Sequence, residues 1–164
     1  MALLSIFLLL AALVITTVQG NLSPLRWPGR GDGGDATYIT VKYGNSKYLI
    51  SRKAEPFDLA KMNGRCRGSG GYLLQIDNRT EDSYVRYKLK KIRDRSLVYT
   101  GITDLGSEGR FYNYNDKTPA GYLKWRRRQP DNWRGKEHCV NISRWGLNDI
   151  DCGRTARYIC EIPL

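Results

Sequence analysis

Between Gln129 and Asp151 the chain concentrates side chains that end in amide or carboxylate oxygen: Gln129, Asp131, Asn132, Glu137, Asn141, Asn148, Asp149 and Asp151. A hard cation such as Ca²⁺ takes roughly six to eight oxygen ligands. The carboxylates of Asp131, Glu137 and Asp149, with the amide oxygens of Gln129 and Asn148, supply most of such a shell and offset the ion's charge. No EF-hand spacing is present, so a cage must be assembled from two loops. Composition alone does not separate such a cage from solvated polar loops.

The elements that would hold these residues can be read from the rest of the chain. Met1 is followed by an apolar run from Leu3 to Val14, with Val18 and Gly20 as small residues before a cleavage point, which predicts a signal peptide over 1–20. The run is shorter than the roughly 20 residues of a spanning helix, so a secreted, extracellular chain without a membrane anchor is expected. Residues 21–37, with Pro24, Pro28 and the glycine-rich stretch from Gly29 to Gly34, read as a flexible arm. A single domain is expected over 38–164. Within it, Tyr48 and Ile50 fall on one side of a strand, and Leu59, Met62 and Cys66 form the buried stripe of a first helix, with Pro56 in its opening turn. Asn78 as N-cap, Glu81 three residues on, and Val85, Leu89 and Ile92 on one face predict a second helix. Short strands and long polar loops follow, ending in a strand over 157–162, which gives an α+β fold.

Four cysteines in an exported chain imply two disulfides, with three pairings open, and their spacing does not mark a zinc site. One histidine, no unpaired thiol and carboxylates suited to metal leave no nucleophile and base for catalysis, so the chain is not expected to be an enzyme. The formal charge of +11 favours polyanions such as sulfated or acidic glycans. Nucleic acid is not expected for an exported protein.

Gln129-Pro-Asp131, Glu137 before Cys139, and Asn148-Asp149-Ile-Asp-Cys152 resemble the sugar-binding signature of the C-type lectin superfamily. Tyr99-Thr-Gly-Ile102 resembles its core strand, Asp104 through Gly109 with Phe111 the segment after it, and Tyr158-Ile-Cys160 its last strand. The resemblance implies the short, four-cysteine form of the C-type lectin fold, two helices packed on small antiparallel sheets with long calcium-binding loops. It also implies the pairs Cys66–Cys160 and Cys139–Cys152 and a cis Gln129–Pro130 bond. Gln129, Asp131, Glu137, Asn148 and Asp149 would bind Ca²⁺ and, through it, two vicinal hydroxyls of a sugar.

The order Gln129 then Asp131 is similar to the version that binds galactose and N-acetylgalactosamine, with Trp133 as a platform for the sugar's apolar face. An auxiliary calcium position would use Asp104, Glu108 and Glu137, but two of its acids are replaced here by Asn132 and His138. The family's Trp-Asn-Asp reads Leu147-Asn-Asp, with Trp145 two positions earlier.

Glu137-His-Cys139 and the basic charge also resemble perlucin-type lectins of shell matrices, which implies an alternative role in binding calcium carbonate mineral or other proteins. Lys124, Arg126, Arg127 and Arg128 put a basic rim beside Gln129. Arg30-Gly-Asp32 in the arm is a minor candidate for integrin-mediated adhesion. Asn21, Asn78 and Asn141 begin N-glycosylation sequons, with Asn78 favoured. The sequence holds no collagen-like or coiled-coil segment, so a homo-oligomer would have to form through the domain's own surface.

Overall fold

A computed structural model describes residues 37–92 and 96–164. The predicted signal peptide, nearly all of the arm, Asn21 and the Arg30–Asp32 tripeptide lie outside the described residues.

The domain begins with the hairpin β1 (Tyr38–Tyr43) and β2 (Ser46–Ser51), whose second strand pairs with the long C-terminal strand β9 (Thr155–Pro163). Short β3 (Glu55–Pro56) and β4 (Tyr72–Leu73) also pair with β9. On its other side β9 runs parallel to β5 (Val98–Thr103), which pairs antiparallel with β6 (Tyr112–Asn113) and β7 (Cys139–Ser143); β7 in turn pairs with β8 (Gly146–Ile150). The principal order is β1-β2-β9-β5-β7-β8.

Both faces of this sheet are covered, so alternate residues of the same strand enter different cores. Ile159 joins Ile50, Val85, Leu89 and Val140 on the side of α2 (Arg79–Lys91). Tyr158 and Cys160 join Leu59, Met62, Leu73 and Tyr99 on the side of α1 (Leu59–Gly68). This period-two division fixes the register, because a slip of one residue would exchange the two cores. Gly101 lies in β5 where the chain passes against β4: a Cβ there would meet the Leu73 carbonyl at 2.7 Å. Cys66–Cys160 ties α1 to β9, and Cys139–Cys152 ties β7 to the segment after β8, with Cα separations of 5.2 and 5.1 Å. Among the described residues no helix is long and apolar enough to cross a membrane.

Both predicted helices form, with adjustments at their starts. Pro56 lies in β3 rather than in the first helical turn, because Glu55 and Pro56 pair with Ala156 and Thr155. Asp58 is instead the N-cap of α1 and accepts from the Lys61 N–H at 2.6 Å. Asn78 caps α2, its Oδ1 accepting from the N–H groups of Thr80 and Glu81, each at 3.0 Å. Glu81 does not turn back on Asn78. Its carboxylate accepts from the Asp77 N–H at 2.9 Å and from the Tyr48 hydroxyl at 2.7 Å, stapling α2 to β2.

That staple creates a buried acidic pair. Glu161 on β9 is 5% exposed, and one carboxylate oxygen accepts from Ser46 Oγ at 2.9 Å. Burial, reinforced by Glu81, pushes its pKa up to about 7. Since this acid holds its proton more tightly in the folded chain than in the unfolded one, its stabilising contribution is complete below about pH 4.5 and is lost as pH rises through 7. The Glu161→Gln variant should therefore gain stability relative to the parent as pH rises from 5 to 8.5, by at most about 3 kcal/mol. Urea unfolding of both proteins across that range measures the difference, and a pH-independent difference would refute the assignment.

Candidate functional site

The site is built where β8 meets the long loop that precedes β7. β8 delivers Asn148 and Asp149, and its antiparallel partner β7 begins at Cys139, two residues after Glu137. The loop carries Gln129, a cis Gln129–Pro130 bond, and Asp131. Asp149 joins the two segments. Its side chain is buried, at 1% exposure for the residue, and its two oxygens accept from the backbone N–H groups of Asp131 (3.2 Å) and Asn132 (2.7 Å).

The loop is then closed on itself. Asn132 Oδ1 accepts from the Glu137 N–H at 3.1 Å, and Glu137 Oε2 accepts from the Trp133 N–H at 3.1 Å. Between them lies a single turn of 3-10 helix, Trp133–Gly135. Arg128, Asn132 and Arg134 take left-handed φ values of 66°, 39° and 59°, unusual for side-chain-bearing residues. Backbone of this kind persists where surrounding interactions hold it, and here the side chains of Asp149, Asn132 and Glu137 do so.

The result is a cluster of like charges. Asp131, Glu137 and Asp149 each present a carboxylate oxygen within 4.8 Å of the others. No Lys or Arg among the described residues forms an ion pair with any of them. Burial, with the negative charges of Asp149 and Asp131 nearby, holds the Glu137 carboxyl above the usual carboxylate range. Two further acceptors belong to residues flanking this cluster. Gln129 Oε1 and Asn148 Oδ1 are buried without a hydrogen-bond partner, and the Asn148 amide is oriented by donation from Nδ2 to the Asp149 carbonyl at 2.6 Å. Buried polar atoms are paired as a rule, and an orphan calls for an explanation. A hard oxygen-seeking cation fits this donor set of three carboxylates and two amide oxygens.

Trp133 stands 58% exposed at the edge of the loop, with the Arg134 guanidinium 4.1 Å from its ring centroid. The ring is not packed into the domain. Asp151 is occupied elsewhere: its Oδ1 accepts from the Gly153 N–H and its carbonyl from the Tyr99 hydroxyl, so it shapes the turn after β8.

A second group comprises Asp104, Glu108 and His138. His138 Nδ1 is 3.2 Å from Asp104 Oδ1 and 3.5 Å from Glu108 Oε2, while Asp104 Oδ2 accepts from the Gly109 N–H at 2.8 Å. Asn132, at the other replaced auxiliary position, is engaged in closing its own loop. Sequence reasoning missed these closing roles of Asn132 and of the backbone N–H groups of residues 131–133. The asparagine itself was the available signal, since Asn tolerates the left-handed conformation better than most residues. Of the described sequons, Asn78 is exposed at the start of α2, whereas Asn141 is only 6% exposed within β7.

Comparison with known proteins places this geometry in a family. The family model described as "Lectin C-type domain" matches residues 56–162. Perlucin of Haliotis laevigata is 32% identical over 106 residues, covering 62% of this chain and 68% of perlucin. The perlucin-like protein of Mytilus galloprovincialis is 31% identical over 124 residues, covering 73% of this chain and 78% of the relative. The mouse scavenger receptor C-type lectin carbohydrate-recognition domain has a similar structure, with a TM-score of 0.65 at 26% identity over 76% of this chain and 93% of that one. With a family match over more than half of its length and a shared fold, the chain belongs to the C-type lectin family.

Proposed function

We propose that the protein is a secreted, calcium-dependent lectin of the galactose and N-acetylgalactosamine type, with residues 38–164 as its recognition domain behind a signal peptide over 1–20 and an arm over 21–37. The observation that carries this reading is the pair of orphaned buried amide oxygens, Gln129 Oε1 and Asn148 Oδ1, on residues flanking three clustered carboxylates that form no ion pair with a Lys or Arg among the described residues. Gln129, Asp131, Glu137, Asn148 and Asp149 would hold Ca²⁺. When bound, the ion supplies open coordination positions for two adjacent sugar hydroxyls. The same side chains set the sugar's orientation: carboxylates accept from hydroxyls and amide nitrogens donate to them, so the order of amide and acid selects the hydroxyl geometry. Trp133, exposed at the rim, would cover an apolar sugar face. No nucleophile and base pair enters this reading, which is one of binding alone. Asn78, open to solvent, is the proposed N-glycosylation site, and the burial of Asn141 argues against a glycan there.

Retention on galactose-agarose in calcium with elution by EDTA is the expected behaviour. Asp149→Ala should lower calcium affinity by on the order of a hundredfold in titration calorimetry and abolish retention, because it removes both a ligand and the anchor of the Asp131–Asn132 backbone. Undiminished capture by this variant would sink the reading. Exchanging amide and acid in the double variant Gln129→Glu/Asp131→Asn should move preference from galactose towards mannose, as read on a glycan array; an unchanged profile would remove these residues from specificity.

The similarity to perlucin supports a second reading, an extracellular matrix protein that binds calcium carbonate. In that case the protein should adsorb to carbonate crystals equally with and without galactose competitor, and the Asp149→Ala variant should adsorb like the parent. Loss of adsorption in either arm counts against it.

A further inference from the structure

The excess of positive charge is arranged, and part of it leads away from the candidate sugar site along one edge of the domain. Lys124, Trp125 and Arg126 run beside β8: Trp125 bridges Leu147, the Leu147 N–H donates to the Lys124 carbonyl at 2.9 Å, and the Arg126 N–H donates to the Leu147 carbonyl at 2.9 Å. Trp125 turns inward, its ring 4.7 Å from that of Phe111 and packed on the core. Strand-like alternation therefore sends Lys124 and Arg126 outward, and both are exposed. A turn closed by the Gln129 N–H and the Arg126 carbonyl, at 3.1 Å, then carries exposed Arg128 to the first of the candidate ligands.

At its other end the strip meets the turn between β7 and β8. Gly146 sits so close to it that a Cβ would meet the Lys124 carbonyl at 2.7 Å, so the turn carrying Arg144 and Trp145 enters β8 against the strip's backbone. The turn is fixed from within, with Ser143 Oγ donating to the Gly146 carbonyl and accepting from the Trp145 N–H. It is fixed from outside by Arg86 of α2, whose Nη1 donates to the Arg144 carbonyl at 3.4 Å while Asp82 neutralises its charge. Trp145 is 66% exposed, with the Arg144 guanidinium 4.5 Å from its ring centroid. Among the described residues, Lys124, Arg126, Arg128 and Arg144 form no ion pair with an acid. Positive charge with no internal partner, held on rigid backbone and ending in an exposed indole, suits a ligand that repeats anionic groups between flat apolar ring faces.

We propose that this strip is a second binding surface, and that the protein's ligand is a sulfated galactose-containing polysaccharide whose sugar occupies the calcium cage while sulfates further along the chain contact Arg128, Arg126, Lys124 and Arg144 and a pyranose covers Trp145. The proposal rests on the calcium-dependent galactose reading for its first contact, and extends it from one sugar to an extended anionic chain. A sulfated glycan suits the strip better than a lipid surface, because its exposed charges follow one segment up to the candidate sugar site and are accompanied by a single exposed indole rather than an apolar patch.

The test compares an oligosaccharide of carrageenan, a sulfated galactan, with one of agarose, a neutral galactan of equal length, in calcium and in EDTA. In calcium the sulfated chain should bind at least tenfold tighter, with an affinity that falls steeply with salt. The double variant Lys124→Gln/Arg144→Gln should lose about tenfold for the sulfated chain and keep the parent's affinity for the neutral one. Trp145→Ala should lose severalfold for the sulfated chain only. Equal affinity of the parent for the two galactans, or an unaltered double variant, would overturn the proposal, as would tighter binding to phosphatidylserine vesicles than to the sulfated chain. Capture of the sulfated chain that survives EDTA but fails in the double variant, with no retention of the neutral chain in calcium, would overturn the galactose reading and support the strip.

Discussion

The site depends on one buried carboxylate. Asp149 is held below the surface by hydrogen bonds from two consecutive backbone N–H groups, those of Asp131 and Asn132. Such bonds stabilise a carboxylate, but they also fix two further acids, Asp131 and Glu137, close to it. A buried charge surrounded by like charges is tolerated only where a counter-charge or protons compensate. The loop takes a left-handed path to make this arrangement, so local backbone preference has been overridden in favour of bringing negative charge together.

What allows the loop to do so is the rigidity of the sheet beneath it. β8 pairs along its whole length with β7, and Cys139–Cys152 ties the start of β7 to the turn that follows β8. β9, sandwiched between two cores and tied to α1 by Cys66–Cys160, holds the sheet's centre. Asn148 and Asp149 are therefore displayed from regular strand, and only the opposing side of the candidate site comes from loop. This division matches the general need for binding groups to be supported by elements that do not move.

Features set by neighbouring residues were legible in the sequence. Asn78 announces α2, and the stripe of Leu59, Met62 and Cys66 announces α1, because caps and helical spacing act within one or two turns. The oxygen-rich cluster was legible as a density of oxygen-bearing side chains, of which the structure brings Asp131, Glu137 and Asp149 together. Features created by distant pairing were not. Pro56 reads as a helix opener and is a strand residue only because Thr155 lies beside it. Glu161 follows Cys160 in an alternating strand and by that pattern belongs in solvent, yet both faces of β9 are covered and it is buried. The basic strip is likewise invisible in sequence order, since the Arg144–Trp145 turn meets the Lys124–Arg126 segment only where Gly146 packs on the Lys124 carbonyl.

The two acidic clusters differ in how their carboxylates are partnered. At Asp104 and Glu108, the imidazole of His138 lies within reach of both acids, and in the tautomer with hydrogen on Nδ1 it donates to Asp104. The other Asp104 oxygen is satisfied by the Gly109 N–H. That cluster is internally closed: a histidine stands where the resemblance would have placed an acid, and the chain supplies its own donor. Among the described residues the cluster around Asp149 has no histidine, lysine or arginine in an ion pair with it. Its backbone donors leave Gln129 Oε1 and Asn148 Oδ1 without a hydrogen-bond partner, and these two amide acceptors with the three clustered carboxylates make a donor set that a hard cation fits. Among the described residues the fold thus carries one acidic cluster with a histidine nitrogen within reach of two of its acids, and one whose carboxylates meet backbone N–H donors but no cationic side chain.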